Sequence, residues 1–143
     1  MSRIPTIKTV MTPFPFSIDA DADLGAARRT MEEHGIRHLP VLAEGEPIGM
    51  LTHRDLERAE TTRALAGRDR PRRVRDVCRF PAYAVSLDEP LDNVLVHMAS
   101  ERVGSALVLR ADKVVGIFTT TDACRHFAAH LRRDFPPTGD DAA

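Results

Sequence analysis

Two short segments of the chain combine a glycine, a threonine and an aspartate at the same spacing, Gly-x-x-Thr-x-x-Asp. In residues 49–55 the last two are Thr52 and Asp55, and in residues 116–122 they are Thr119 and Asp122. A threonine at a helix start offers its hydroxyl beside free backbone N–H groups, an arrangement that suits a phosphate. An aspartate one turn later can accept two hydrogen bonds from a ribose diol. The same spacing is also an ordinary helix cap, so each aspartate has two interpretations, ligand contact or capping alone.

The two segments lie in a longer internal repeat. Residues 7–60 align with residues 74–127 without a gap, and ten of the aligned positions are identical. Unrelated sequence of this composition would give about three identities. We therefore interpret the chain as two copies of one unit.

Each copy has the pattern of a β-α-β-β-α unit. In the second copy, Leu91, Val94, Leu95 and Met98 recur at the spacing of an amphipathic helix, and two apolar runs of strand length follow it. A unit of about sixty residues buries little apolar surface alone. We predict an α+β fold whose two repeats are related by a pseudo-twofold axis, with their sheets packed face to face. The predicted boundaries are residues 1–62 for the first repeat, 63–73 for an Arg-rich linker, 74–133 for the second repeat and 134–143 for a disordered tail.

The composition argues against several classes of protein. The 143 residues have a net charge of -1 and 5% aromatic residues without tryptophan, which disfavours a nucleic-acid-binding surface. No apolar run is long enough to span a bilayer, and residues 1–6 do not resemble a signal peptide. Two cysteines without Cys-x-x-Cys spacing are too few for a disulfide framework. We therefore expect a cytoplasmic protein with reduced thiols.

The repeat resembles the cystathionine-β-synthase (CBS) domain family. The Gly-x-x-Thr-x-x-Asp segments look like the end of such a domain, and residues 10–13 (Val-Met-Thr-Pro) and 34–41 (His-Gly-Ile-Arg-His-Leu-Pro-Val) are similar to its earlier parts. The similarity covers about residues 7–127, so the chain resembles a stand-alone tandem pair, or Bateman module. The resemblance implies a regulatory protein that requires no cofactor and binds AMP, ADP, ATP or another adenosyl ligand between its repeats. It also implies a disc-like homodimer of two such modules.

The resemblance further implies which residues contact the ligand. Asp55 and Asp122 are assigned to ribose, whereas the residues assigned to phosphate or ribose oxygens are Thr52, Arg54, Thr119 and Thr121. Each adenine would lie against the leading strand of the opposite repeat, near Cys78 and Tyr83 in the site of Asp55 and near Thr12 and Phe16 in the site of Asp122. The remaining walls would come from the residues between the helix and the hairpin of each repeat: Ile36, Arg37, His38, Val103, Gly104 and Ser105.

The two copies differ in charge around the implied site. The first has Arg37, His38 and Arg54, which suit a polyphosphate. At the same positions the second copy has no cation, because its residues are Gly104, Ser105 and Thr121. If one site alone binds a nucleotide, we expect it to be the site of Asp55.

Arginines also crowd the linker and the start of the second copy. They are Arg63, Arg68, Arg70, Arg72, Arg73, Arg75 and Arg79. Three interpretations are open for this cluster: a solvated linker, contacts with a ligand phosphate, or a nucleic-acid patch. Its position near the implied cleft favours Arg72, Arg73 or Arg75 as phosphate partners.

The sequence predicts neither a metal site nor a catalytic site. His126 and His130 have a spacing found in metal sites, but no acidic residue lies between them, and a surface role is favoured. Neither Cys78 nor Cys124 has a histidine partner that is evident in the sequence. No set of nucleophile, base and oxyanion-stabilising residues is evident, so we do not expect an enzyme.

Three hypotheses for the function follow. The first is a regulatory module whose conformation or dimer packing responds to an adenosyl ligand and whose signal passes to a separate protein. The second is a dimerisation or protein-interaction module that is independent of nucleotides and has an empty cleft. The third is a small nucleic-acid-binding protein that uses the arginine cluster, which the near-neutral net charge disfavours.

Overall fold

A computed structural model describes residues 3–66 and 72–138 of the chain. After a short 3-10 helix (Ile7–Thr9), the elements in chain order are β1 (Thr12–Pro13), β2 (Ile18–Asp19), α1 (Leu24–His34), β3 (His38–Ala43), β4 (Glu46–Thr52), α2 (His53–Ala66), α3 (Val74–Val77), β5 (Ala84–Ser86), α4 (Leu91–Glu101), β6 (Ser105–Arg110), β7 (Lys113–Thr119) and α5 (Thr120–Asp134). The predicted α+β class is confirmed. The β-α-β-β-α unit extends from β2 to α2 in the first repeat and from β5 to α5 in the second.

The first helix of each repeat ends in a left-handed residue. Asp23 begins α1 by accepting a hydrogen bond from the Ala26 N–H at 2.7 Å, and Gly35 ends the helix with a φ of 61°. The counterpart of Gly35 in the second repeat is Arg102, which ends α4 with a φ of 55°. This conformation favours glycine, so the arginine stands at a position where its backbone is strained.

The two sheets share one topology. In the first, of order β2-β3-β4, β2 is parallel and β4 antiparallel to β3. In the second, of order β1-β7-β6-β5, β5 is parallel and β7 antiparallel to β6. A β-bulge interrupts both hairpins at equivalent places, Val41/Leu42 and Val108/Leu109. The repeat in the sequence is therefore also a repeat of strand order and register.

The segment that leads into each repeat packs on the other repeat. β1 pairs with β7, so that Thr12 faces Ile117, and Arg79 forms a β-bridge with Met50 in β4. The Met50 N–H donates to the Arg79 carbonyl at 2.9 Å, and the Arg79 N–H donates to the Met50 carbonyl at 3.0 Å. In the alignment of the two copies, Thr12 corresponds to Arg79 and Ile117 corresponds to Met50. The two pairings are therefore equivalent, and each repeat contributes its leading segment to the other in the same way.

Each repeat therefore buries an apolar residue from the leading segment of the other. Ile7 is fully buried in the core of the second repeat, with Phe118, and its counterpart Val74 is fully buried in the core of the first, with Leu51. The two sheets pack face to face, as predicted, at a third cluster of buried residues: Met50, Leu107 and Ile117.

The described residues on either side of the predicted linker belong to two helices, α2 and α3. α2 extends through Ala66, past the predicted end of the first repeat at residue 62. Arg68 and Arg70 of the arginine cluster lie outside the described residues, as do the last five residues of the predicted tail. Within the described ranges, no helix is long and apolar enough to cross a membrane.

Candidate functional site

Two cavities of about 510 Å³ each lie between the repeats. The first is at the start of α2, and the predicted residues that line it are Thr52, Arg54, Arg37, His38, Tyr83, Val103, Gly104 and Ser105. The second is at the start of α5, and the predicted residues that line it are Thr12, Phe16, Ile36, Arg37, His38, Thr119, Thr121 and Asp122. The structure thus brings fourteen of the sixteen predicted residues to a cavity wall, with Arg37 and His38 on both.

Asp55 and Cys78 are the two predicted residues that do not line a cavity. Both are buried, with 7% and 9% of their surface exposed, next to the first cavity. Burial raises the pKa of the Cys78 thiol, and the nearby carboxylate of Asp55 raises it further. The thiol therefore stays protonated at neutral pH, which does not favour a nucleophile. A contact between Asp55 and ribose stays a prediction.

Both Thr-x-x-Asp segments form capping boxes. The Thr52 N–H donates to Asp55 Oδ2 at 2.9 Å, and the Asp55 N–H donates to Thr52 Oγ1 at 3.1 Å. At α5 the Thr119 N–H donates to Asp122 Oδ2 at 2.9 Å, and the Asp122 N–H donates to Thr119 Oγ1 at 3.3 Å. Both aspartates therefore cap their helices, and the cap uses only one oxygen of each carboxylate.

The other carboxylate oxygen faces an arginine in each site, but the two arginines come from different places. Asp55 Oδ1 lies 3.6 Å from Nε of Arg79, which belongs to the leading segment of the second repeat. Asp122 Oδ1 lies 3.3 Å from Nη1 of Arg125, one turn further along α5. The first site thus combines charges from both repeats, whereas the second pairs its charges within one helix.

His38 stands where the two cavities meet. It begins β3, is partly buried and lines both cavities. Burial lowers the pKa of His38, and the carboxylates of Asp55 and Asp122 oppose that shift to a smaller extent. The imidazole is therefore neutral near pH 7. Across the repeat boundary, a Cβ added to Gly104 would lie 3.5 Å from His38 Nε2, so the repeats approach each other closely here.

An aromatic side chain lies at the same position in each cavity wall. Tyr83 of the first cavity stacks on His97 with ring centroids 3.8 Å apart, and its counterpart Phe16 in the second stacks on His34 at 3.6 Å. Burial raises the pKa of Tyr83, so its hydroxyl stays protonated at neutral pH. One face of each ring is covered by a histidine, and a flat base can pack against the rest of the ring.

The structure adds cavity residues that the sequence analysis did not select. They include Arg102 in the first cavity, and Phe14, Pro15 and Arg125 in the second. Arg79, which was named only as a member of the arginine cluster, also lines the first cavity. Arg79 could have been predicted from the repeat, because it aligns with Thr12, which was predicted to contact the ligand. Arg102 offered no such signal, since its counterpart is the helix-ending Gly35.

The arginines that were favoured as phosphate partners lie outside both cavities. Arg73 donates to the backbone carbonyl of Asp21, and Arg75 Nε lies 2.8 Å from the Asp21 carboxylate, where it lowers the pKa of that group. Arg72 lines a separate surface cavity beside α1. The expectation that these three contact a phosphate in the cleft is not supported, because Asp21 binds two of them and Arg79 occupies the cleft position.

The described residues contain no group of three or more His, Cys, Asp or Glu that could hold a metal ion. His130 Nε2 lies 3.2 Å from Asp134 Oδ2, and its ring stacks on Phe127, with centroids 6.4 Å apart. Both contacts lie on the exposed surface of α5, which agrees with the surface role favoured for this histidine.

Several known proteins are similar to the chain. It is 27% identical over 128 residues to hypoxic response protein 1 of Mycobacterium tuberculosis (strain CDC 1551 / Oshkosh), a match that covers 87% of each chain. A crystal structure of Hypoxic Response Protein I, with two coordinated zinc ions, aligns with a TM-score of 0.72 at 27% identity, over 85% of this chain and 98% of that one.

Two further crystal structures contain adenosine compounds. The CBS domain pair of protein MJ0100, in complex with 5′-methylthioadenosine and S-adenosyl-L-methionine, aligns with a TM-score of 0.78 at 22% identity, over 90% of this chain and 99% of that one. CBSX2 in complex with AMP aligns with a TM-score of 0.73 at 19% identity, over 89% and 98% of the respective chains. These similarities show a shared fold.

The family follows from the sequence match and the structure together. The family model of the CBS domain matches residues 7–61 and 74–129, which coincide with the two structural repeats. The chain belongs to the CBS domain family, as a pair of CBS domains within one polypeptide.

Proposed function

We propose that this CBS pair is a regulatory module that binds an adenosine-containing ligand between its two domains, with a phosphate-bearing nucleotide (AMP, ADP or ATP) in the first cavity. The observation that carries the proposal is the charge of that cavity. Four arginines line it, and two carboxylates lie beside them, Glu57 in the wall and Asp55 behind Arg79. The arginines are Arg37, Arg54, Arg79 and Arg102. Such a concentration of guanidinium groups favours binding of a phosphate group.

The rest of the first cavity fits the other parts of a nucleotide. Thr52 precedes α2 and places a hydroxyl beside the start of the helix, where anions are stabilised. Tyr83 and Val103 supply apolar surface for a flat base. In support, the related folds of MJ0100 and CBSX2 have been crystallised with adenosyl compounds and AMP.

The shared wall provides a route from binding to regulation. Arg37 and Thr52 belong to the first domain, whereas Tyr83 and Arg102 belong to the second, so one ligand would contact both. A ligand that binds one arrangement of the domains more tightly shifts the population toward it. We propose that a separate protein senses this arrangement and that the module itself is not an enzyme.

The test is thermal unfolding with AMP, ADP, ATP and adenosine, using the wild type, Arg54→Thr and Arg110→Thr. Arg54→Thr gives the first cavity the residue that the second has at position 121, and Arg110 is an exposed residue that lines neither cavity. A ligand at one hundred times its dissociation constant stabilises a protein by about 2.7 kcal/mol. We expect a phosphate-bearing nucleotide to raise the melting temperature of the wild type and of Arg110→Thr. Loss of a charged hydrogen bond in Arg54→Thr should weaken affinity about tenfold or more.

The absence of any shift in the wild type would reject the proposal, and an equal loss in both variants would remove Arg54 from the site. Asp55→Ala is a poorer probe. It would remove the cap at the start of α2 together with the ion pair to Arg79, so that loss of stability and loss of binding could not be separated.

A second candidate function, dimerisation that needs no nucleotide, is favoured by the apolar face of α5. Phe127 and Leu131 are four residues apart and so lie on one side of the helix, and Phe135 follows directly after its end. Their side chains are 62%, 40% and 73% exposed. Val96 on α4 is also exposed. An exposed apolar face of this kind is typical of an interaction surface, and we propose that it forms a homodimer.

The dimer is tested by substituting Leu131 with glutamate. A charge in the middle of this face should convert a dimer to a monomer in analytical ultracentrifugation, because burial of an unpaired carboxylate opposes association. Ala129→Glu, which adds the same charge at an exposed position on another side of the same helix, is the control. A dimer that persists in Leu131→Glu would exclude this interface. A dimer that is lost, with nucleotide binding unchanged, would show that dimerisation and binding are separate functions.

A further inference from the structure

The two cavities are not symmetric at the residues that join the helix to the hairpin of each repeat. Arg37 and His38 line both cavities, whereas their counterparts, Gly104 and Ser105, line only the first. The two cavities therefore share one guanidinium group at this place, and the residue related to Arg37 by the repeat has no side chain with which to supply another.

The second cavity depends on the guanidinium group of Arg37 for positive charge that could bind a phosphate. Its other arginine, Arg125, lies 3.3 Å from the Asp122 carboxylate, which offsets its charge. The first cavity has two further arginines, Arg54 and Arg102, besides Arg79, which faces Asp55 at 3.6 Å. The counterparts of Arg54 and Arg102 in the second cavity are Thr121 and Gly35, which carry no positive charge. Only the first cavity can neutralise a phosphate without Arg37.

We infer that Arg37 makes the two cavities compete for phosphate, so that one chain binds one phosphate-bearing nucleotide, in the first cavity, and leaves the second to an adenosyl ligand without phosphate. This inference rests on the proposed function and adds which class of ligand each cavity takes. A phosphate in the first cavity pairs with Arg37 and cancels its charge. A phosphate in the second would then face Asp122 and Arg125, which have no net charge, and would be repelled by the first ligand.

The walls of the second cavity suit the uncharged ligand. Phe14 and Phe16 are exposed aromatic residues there, where the first cavity has Pro81 and Tyr83. These rings supply apolar surface for a base and no positive charge for a phosphate. Adenosine itself should therefore bind in the second cavity when a nucleotide fills the first.

Gly104 offers a direct way to supply the missing guanidinium. The nearest atom to a Cβ added there is His38 Nε2 at 3.5 Å, an ordinary van der Waals distance, and Gly104 is not among the residues with positive φ. Gly104→Arg gives the second repeat the residue that the first has at position 37. Gly104→Ser adds a side chain without the charge and is the matched control.

The experiment is a calorimetric titration with AMP, in parallel with the fluorescence of Tyr83. The chain has one tyrosine and no tryptophan, so this signal reports on the first cavity alone. We expect one equivalent of AMP to bind the wild type and to complete the change at Tyr83, and we expect no second equivalent to bind Gly104→Ser. Gly104→Arg should bind a second equivalent after the Tyr83 signal is complete. Adenosine should still bind to the AMP-saturated wild type.

Three results would overturn the inference. Two equivalents of AMP in the wild type, with heat released after the Tyr83 signal has saturated, would show that the cavities do not compete and would leave the proposed function intact. A stoichiometry of one in a folded Gly104→Arg variant would show that Arg37 is not the limiting group. Failure of AMP, ATP and adenosine to bind any variant would reject the proposed function and this inference together.

Discussion

Substitution of Gly49 by alanine is expected to destabilise the fold by about 3 kcal/mol, near the upper end of the usual effect of overpacking a core. Gly49 lies in β4, where the leading segment of the second repeat crosses it. A Cβ at this position would lie 2.4 Å from the carbonyl oxygen of Arg79. Because the backbone of Arg79 is held by two hydrogen bonds to Met50, this oxygen cannot move away without loss of the bridge. Urea denaturation followed by circular dichroism measures the effect.

The repeat provides a matched control at Gly116. A Cβ there would lie 2.3 Å from Met11 Sδ, so the clash is as close, but it is with the end of a flexible side chain. Met11 can adopt another rotamer, and we expect Gly116→Ala to cost about 1 kcal/mol, at the lower end of the same range. Equal losses for the two variants would mean that the crossing backbone yields as easily as a methionine side chain, contrary to our argument.

The consequence of Gly49→Ala should extend to the first cavity. The segment that it displaces continues from Arg79 to Tyr83, and both residues line that cavity. Any Gly49→Ala protein that remains folded should therefore bind AMP more weakly than Gly116→Ala. The glycine of the Gly-x-x-Thr-x-x-Asp motif thus allows close approach of two backbones, in addition to preceding the helix cap.

Substitution of Ile7 by alanine is expected to cost between about 2 and 5 kcal/mol, the usual effect of removing most of a buried isoleucine side chain. The loss should appear in the second repeat, although Ile7 belongs to the leading segment of the first. Ile7 is fully buried beside Phe118, and its N–H donates to the Glu89 carbonyl at 2.9 Å. Hydrogen exchange should therefore show faster opening of β6 and β7 than of β3 and β4.

Val74→Ala is the mirror-image control. Val74 is the repeat counterpart of Ile7, is fully buried in the core of the first repeat, and donates its N–H to the Ala22 carbonyl at 2.9 Å. Its substitution should accelerate exchange in β3 and β4. If Ile7→Ala instead loosens the first repeat, or if both variants loosen the whole chain equally, the leading segments do not stabilise the repeats on which they pack.

Local features of the fold could be predicted because their signals lie within a few residues. The spacing of Thr52 and Asp55 predicts a cap because the first turn of any helix has N–H groups without partners. The left-handed Gly35 marks the end of α1 in the same way. The spacing of apolar residues then distinguishes helices from strands. Because the two copies align without a gap, the elements predicted for one repeat are also predicted for the other.

The candidate site was predictable for residues near a repeated motif and less so elsewhere. The family resemblance assigns Thr52, Tyr83 and Ser105 to the ligand site, and in the structure all three line the first cavity. Asp55 does not line it, since its buried carboxylate caps α2 through one oxygen and faces Arg79 of the other repeat through the second. Among the clustered arginines, the sequence favoured Arg72, Arg73 and Arg75 as cleft residues, whereas Arg79 lines the first cavity. Arg73 and Arg75 instead contact Asp21, which is distant from them in the sequence.

The amino-acid sequence alone specified a duplicated α+β unit and its helix caps, since each of these depends on neighbours in the chain or on a comparison of the two copies. Most of the residues around its clefts followed from the family resemblance of the repeated motifs. The exchange of leading segments and the sharing of Arg37 between two cavities emerged only in the folded chain. These contacts join residues that are distant in the sequence, such as Thr12 and Ile117, and they form only when both sheets have packed. No local pattern encodes them, because the burial and charge that stabilise them come from the opposite repeat.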